Sequence, residues 1–220
     1  MIDFVTLRRN MVNGQLRTNG VTDPVLIAAL LEIPREEFAP ESQRALAYRD
    51  DDLPIDGGEG PRYLIEPMTI ARMIQALTLQ PSDSVLDVGC GSGYSASLLS
   101  RLAGSVVALE ADPRLFGDAV KLLGLLAAGN ATVVSGPLAA GWPKAGPFDA
   151  ILIEGAVEQV PQALFGQLKD NGRLIAVVGQ GGSGRAVLYR SAGGTISCQA
   201  LFNAAVPSLP GFGKSKGFVF

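Results

Sequence analysis

Five short apolar runs punctuate the chain from residue 84 onward: "SVLDVG", "SVVALE", "ATVVSG", "FDAILIEG" and "GRLIAVVG". Helix-like segments such as "DPRLFGDAVKLLGLLAA" and "VEQVPQALFGQLK" separate them. Runs that are apolar throughout suit strands buried on both faces, and strands alternating with helices build a parallel sheet covered on both sides. Two further strand-like pieces, "AVLYR" and "ISCQALFNAAV", follow with no helix between them, so they must pair antiparallel. The expected fold is α/β: a doubly wound, mostly parallel sheet with an antiparallel C-terminal edge.

The segment before residue 81 reads as helical. In "VTDPVLIAALLEIPREEFAP", Asp23 is placed to cap a helix, Pro24 suits its first position and Pro34 marks its end. Leu26, Ala29, Leu30 and Ile33 form its apolar stripe. A second helix is expected from Pro67, with Ile70, Met73, Ile74 and Leu77 on one face. The organisation predicted is a helical extension over 1–80, carrying a loop at 55–67, and an α/β core over 81–220.

Composition removes whole classes of chemistry. The chain has no histidine, which excludes Ser-His-Asp hydrolysis and His-ligated zinc. No metal site is expected. A net charge of −3 argues against a nucleic-acid surface. No apolar run is long enough for a membrane span, and "MIDFVTLRRNMVNG" has an acid at Asp3 and no unbroken apolar core, unlike a signal peptide. The two cysteines, Cys90 and Cys198, fit a reducing cytoplasm.

"VLDVGCGSGYSASLL" is the strongest local signal. A strand is expected to end at Val88, a glycine loop to run over Gly89, Cys90, Gly91, Ser92 and Gly93, and a helix to begin near Tyr94. The dinucleotide fingerprint needs a third glycine where Tyr94 stands, and the phosphate loop needs a lysine that is missing. Asp87 would repel a pyrophosphate and attract an ammonium group. Glu110 closes the next strand, followed by Ala111, where a carboxylate takes hydrogen bonds from a ribose diol. A ribose, an ammonium group and no phosphate describe S-adenosylmethionine, with S-adenosylhomocysteine as product.

"MVNGQLRTNGVTDPVLIAALLEIPREEFAP", "LPIDGG", "EPMTIARMIQAL", the cofactor segment, "GWPKAGPFDAILIEGAV", "QLKDNGRLIAVVG" and "VPSLPGF" together resemble the protein-L-isoaspartate O-methyltransferases nearly end to end. The resemblance implies methyl transfer to the isoaspartyl carboxylate of damaged proteins. The ester then cyclises to a succinimide, which can hydrolyse to normal aspartate. A carboxylate is ionised at neutral pH, so this reaction needs alignment and dryness and no imidazole.

Two departures stand out. The family usually reads I-G-x-G-Q-T-I-S-x-P in its acceptor loop, with the serine hydroxyl near the acceptor carboxylate. Anchored on Pro67, this chain places Ile65 at the serine, preceded by Arg62, Tyr63 and Leu64. The acceptor-side candidates are therefore Arg62, Tyr63 and Ile65, with Arg62 either a carboxylate partner or a solvated loop charge. The family's G-D-G becomes Gly136, Pro137 and Leu138, leaving adenine to main-chain contacts and apolar packing. Glu154 is expected at the sheet's carboxyl edge, facing the site. Cys90 is expected as a small loop residue, Cys198 as buried, Trp142 as a loop anchor, and "RDDD" (49–52) as a solvated turn. Val206–Leu209 resemble a segment lining the peptide groove, or pack structurally. Two alternatives stay open: a methyltransferase of the same fold with another acceptor, and a non-catalytic cofactor-binding or interaction protein. A monomer is favoured.

Overall fold

The computed structural model describes residues 2–55, 61–179 and 183–212. Positions 56–60 of the acceptor loop lie outside the described residues.

The N-terminal segment is helical. Helix α1 (Phe4–Met11) runs into a wider π turn at Val12–Leu16, and α2 spans Pro24–Glu32. Asp23 caps α2 by accepting the Val25 and Leu26 N–H groups at 2.8 and 3.2 Å, satisfying donors that the first turn leaves free. A short antiparallel pair follows, β1 (Leu53–Ile55) with β2 (Arg62–Leu64), in which Ile55 sits opposite Arg62. Helix α3 spans Pro67–Ala76.

The core then alternates: β3 (Ser84–Val88), α4 (Tyr94–Leu99), β4 (Ser105–Glu110), α5 (Pro113–Leu125), β5 (Ala131–Ser135), β6 (Phe148–Val157), α6 (Gln162–Phe165) and β7 (Leu168–Val178). Strands β8 (Arg185–Ala192) and β9 (Thr195–Asn203) complete a sheet ordered β5-β4-β3-β6-β7-β8-β9. The pairs from β5 through β7 are parallel and the last two are antiparallel. Strand β3 is where the winding reverses, because β4 lies on one side of it and β6 on the other. Ligands of open α/β sheets bind at the carboxyl end of this switch point.

Successive strand residues feed opposite faces. Ala150 and Leu152 join a buried cluster with Met11, Leu16 and Leu30 from the N-terminal helices. Ile151 and Ile153 join a second cluster with Leu164, Leu209 and Phe212.

Several expectations need correction. "VEQVPQALFGQLK" forms only the four-residue α6, because Pro161 precedes it and Gly166 ends it. Cys198 is exposed, not buried, since β9 is the sheet's outer strand. The acids of "RDDD" are not a plain solvated turn. Asp50 accepts the Met68 N–H at 2.9 Å and Asp52 the Glu66 N–H at 3.0 Å, fixing the entry to α3. Arg49 and Asp51 form an exposed pair.

Candidate cofactor and acceptor site

Asp87 and Glu154 arrive on adjacent strands. Asp87 pairs in register with Leu152, which leaves Glu154 two positions further along β6. Both carboxyl groups are buried. Ser95, in the first turn of α4, bridges them: its hydroxyl lies 2.7 Å from Asp87 Oδ2 and also contacts Glu154 Oε1. One hydroxyl carries one proton and cannot donate to two carboxylates. The pair must therefore hold a proton of its own. Burial pushes Asp87 up to about 6, the Glu110 charge adding to it while hydrogen bonds from Glu154 and Ser95 oppose it. Burial and the Asp87 charge push Glu154 well above the usual carboxylate range. Asp87 Oδ1 is buried without a hydrogen-bond partner, an unmet acceptor that suits a cationic ligand.

Glu110 ends β4 and is 0% exposed. Its Oε1 accepts the Ala111 and Asp112 N–H groups at 2.8 and 2.9 Å, and its Oε2 accepts the Gly91 N–H at 2.8 Å. The glycine loop and the strand-end acid are thus locked together by main-chain donors. The remaining valences go to Arg62. Its Nη1 lies 2.5 Å from Oε1 and its Nη2 lies 2.8 Å from Oε2, with Nη2 also donating to the Gly89 carbonyl at 3.0 Å. Arg62 is 6% exposed, so it is neither a solvated loop charge nor free to meet an acceptor while it holds Glu110. Burial lowers its pKa, but hydrogen bonding to Glu110 and its charge outweigh that and raise it overall.

Side chains press on the glycine backbone from two directions. A Cβ on Gly91 would lie 2.9 Å from Ile55 Cδ1, and one on Gly89 would lie 2.9 Å from Leu209 Cδ1. Leu209 is held there because its N–H donates to the Ala156 carbonyl while the Ala156 N–H donates to Pro207, both at 2.8 Å. Beside Glu110 opens a cavity of about 250 Å³, walled by Arg62, Ala111, Asp112, Pro137, Leu138 and Pro210.

The other sequence-derived candidates are scattered in role. Ser92 turns away, donating to the Phe38 carbonyl at 2.7 Å. Gly93, at φ +97°, packs against Ala119 of α5. Burial pushes the Cys90 thiol well up, with the Asp87, Glu110 and Glu154 charges adding to it, so it is a neutral small residue. Ile65 is buried within the hydrophobic cluster of the N-terminal helices, and Tyr63 is half-buried. Trp142 lies over Gly136, and its main-chain N–H donates to Gln167 Oε1 at 2.7 Å.

Sequence reasoning missed Ser95 and Arg35. Arg35 is 1% exposed, donates to the Ala47 and Ile65 carbonyls at 2.8 Å each, and stacks 4.8 Å over the Tyr94 ring. Nothing in the local sequence marks it, because all its partners are distant in the chain. Among the described residues no group of three His, Cys, Asp or Glu side chains is placed to hold a metal ion.

The donor set fits an adenosyl ligand. The cavity has room for a base, Glu110 could accept a diol once Arg62 leaves it, and the Asp87–Glu154 pair could face a cation.

Comparisons with known proteins bear on the family and the fold. A family model described as protein-L-isoaspartate(D-aspartate) O-methyltransferase matches residues 7–206. Protein-L-isoaspartate O-methyltransferase 1 of Rhodopseudomonas palustris (strain HaA2) is 38% identical over 200 residues, covering 90% of this chain and 80% of that one. The Pelotomaculum thermopropionicum enzyme is 43% identical over 172 residues, covering 78% and 74%. A solved protein-L-isoaspartate O-methyltransferase superposes with a TM-score of 0.81 at 27% identity, covering 94% of this chain and 67% of that one. A Plasmodium falciparum structure, titled as a complex of such a protein with S-adenosyl-L-homocysteine, shares the fold at a TM-score of 0.78 and 21% identity, covering 96% and 100%.

Proposed function

The chain belongs to the protein-L-isoaspartate(D-aspartate) O-methyltransferase family, and from that premise we infer that it methylates the isoaspartyl carboxylate of damaged proteins, with S-adenosylmethionine as its cofactor. The observation that carries the reading is Glu110. Three main-chain N–H groups, from Gly91, Ala111 and Asp112, hold its carboxylate at the junction of the glycine loop and the cavity.

When bound, the cofactor supplies an electrophilic methyl group and leaves as S-adenosylhomocysteine. The residues of this chain do the positioning. Glu110 accepts the ribose hydroxyls, the Asp87–Glu154 pair faces the ammonium group, and Ala111, Pro137 and Leu138 flank the base. The turns of Gly89, Cys90, Gly91, Ser92 and Gly93 let the ligand approach the main chain. The acceptor carboxylate is ionised at neutral pH and needs no proton removed. Arg62 and Tyr63 are the side-chain donors that precede the serine position in the loop, and a guanidinium pairs with a carboxylate through two parallel bonds. Residues 1–80, with the loop at 55–67, supply the acceptor side; residues 81–220 supply the cofactor side.

The test is labelled-methyl transfer to an isoaspartyl peptide and its aspartyl twin. Transfer to the isoaspartyl form alone supports the reading, and transfer to neither, beside an active relative, overturns it. One observation favours another acceptor: Ile65 is buried in the core and offers no hydroxyl. Transfer to a metabolite but not to the peptide would select that reading.

We further infer a cytoplasmic monomer whose partners are isoaspartyl proteins, not nucleic acids. The acidic balance of −3 and the free Cys90 and Cys198 support this. Among the described residues no helix is long and apolar enough to cross a membrane.

A further inference from the structure

Glu110 has no lone pair to spare. A carboxylate offers about four acceptor sites. Here its two oxygens already take three main-chain N–H groups and both arms of Arg62. The main-chain donors belong to the loop and strand end and cannot leave without unfolding them. Among the described residues Arg62 is the one removable partner. It reaches Glu110 from β2, which contacts the glycine loop through side chains and not through the sheet's ladder.

We propose that Arg62 is a built-in competitor for the ribose site. It occupies Glu110 in the cofactor-free protein, is displaced when the ribose hydroxyls take Glu110, and then becomes the group that receives the acceptor carboxylate. This rests on the cofactor reading above and adds an order to it. Arg62 spends its end-on fork on Glu110 and the second Nη2 hydrogen on the Gly89 carbonyl, leaving no free edge to fork another carboxylate, so the isoaspartyl group finds its partner only after the cofactor is seated. Apparent cofactor affinity is lowered by the fraction of molecules in which Arg62 holds Glu110. Removing the guanidinium removes that competition. The three main-chain donors remain to orient the carboxylate.

The test is calorimetric binding of S-adenosylhomocysteine to the full chain and to Arg62→Met, which keeps much of the side chain's apolar bulk. The variant is expected to bind about tenfold more tightly or better, since its competent fraction is complete. In the wild type, an isoaspartyl peptide is expected to bind only when S-adenosylhomocysteine is present. In Arg62→Met it binds in neither condition. Arg62→Lys, whose ammonium cannot fork both oxygens, gives a smaller tightening and serves if the Met variant folds poorly. Equal or weaker S-adenosylhomocysteine binding in both folded variants, with a wild type that binds, overturns this inference and leaves the cofactor reading standing. Peptide binding without S-adenosylhomocysteine also overturns it. No binding by any of the three proteins overturns both.

Discussion

Arg62 and Glu110 lie 48 residues apart and meet in a buried two-bond fork of 2.5 and 2.8 Å. The pair ties the short β1–β2 hairpin to the end of β4. Removing one member of a buried ion pair strands the other charge. Glu110→Ala is therefore expected to destabilise the fold by roughly 3–5 kcal/mol, read as a lower urea midpoint, and to abolish S-adenosylhomocysteine binding. A stability change within experimental scatter would show that Arg62 relaxes into water without penalty.

The Asp87–Glu154 pair makes both stability and cofactor binding depend on pH. Asp87 is raised from 3.8 to about 6 in the fold. A group raised in this way stabilises most fully below its unfolded value and loses that contribution as pH rises through 6. The Glu110 charge acts on Asp87, and the Arg62 and Arg35 charges act on Glu154. A cationic ligand favours the ionised pair, so binding should release a proton near pH 6 and tighten as pH rises. Calorimetry in buffers of different ionisation heat reads the release directly. Glu154→Gln, which lets an amide donate to Asp87, should remove it; an undiminished release in that variant would place the proton elsewhere.

Arg35 holds three segments together through the Ala47 carbonyl, the Ile65 carbonyl and the Tyr94 ring. A lysine carries the charge but not the planar fork or the stacking face. Arg35→Lys should thus destabilise nearly as much as Arg35→Met, by about 2–4 kcal/mol for the unmet buried carbonyls and lost packing. Thermal melts of both variants decide it: a lysine variant as stable as the wild type would mean that charge alone matters there.

Ile65 stands where the family carries serine, yet its side chain is part of the apolar cluster. Ile65→Ser should bury a hydroxyl in place of a packed chain. The expected result is a loss of roughly 2–4 kcal/mol with no gain in peptide methylation. A rise in transfer would show that the serine position can still reach the acceptor from this backbone.

The core was legible because its signals are local. Strand β3, the glycine loop, β4 and the capped α5 each announce themselves within a few residues. Asp112, for example, accepts the N–H groups of Arg114 and Leu115. The N-terminal helices were legible for the same reason. Helix α6 was not, because flanking Pro161 and Gly166 override an apolar pattern of helical period. The exposure of Cys198 depends on β9 having no outer neighbour among the described residues, a fact of sheet order that no window of sequence contains.

By itself, the sequence determined the α/β winding, the glycine loop with Asp87 and Glu110 at strand ends, and the absence of imidazole chemistry. These follow from residue type and spacing, which act over one or two turns of chain. Only the tertiary structure decided that Arg62 sits on Glu110, that Ser95 joins Asp87 to Glu154, and that Leu209 covers Gly89. Each unites segments brought together by the sheet order. There the outcome depends on which carboxylate lone pairs the backbone has already filled and which side chain is left to satisfy the rest.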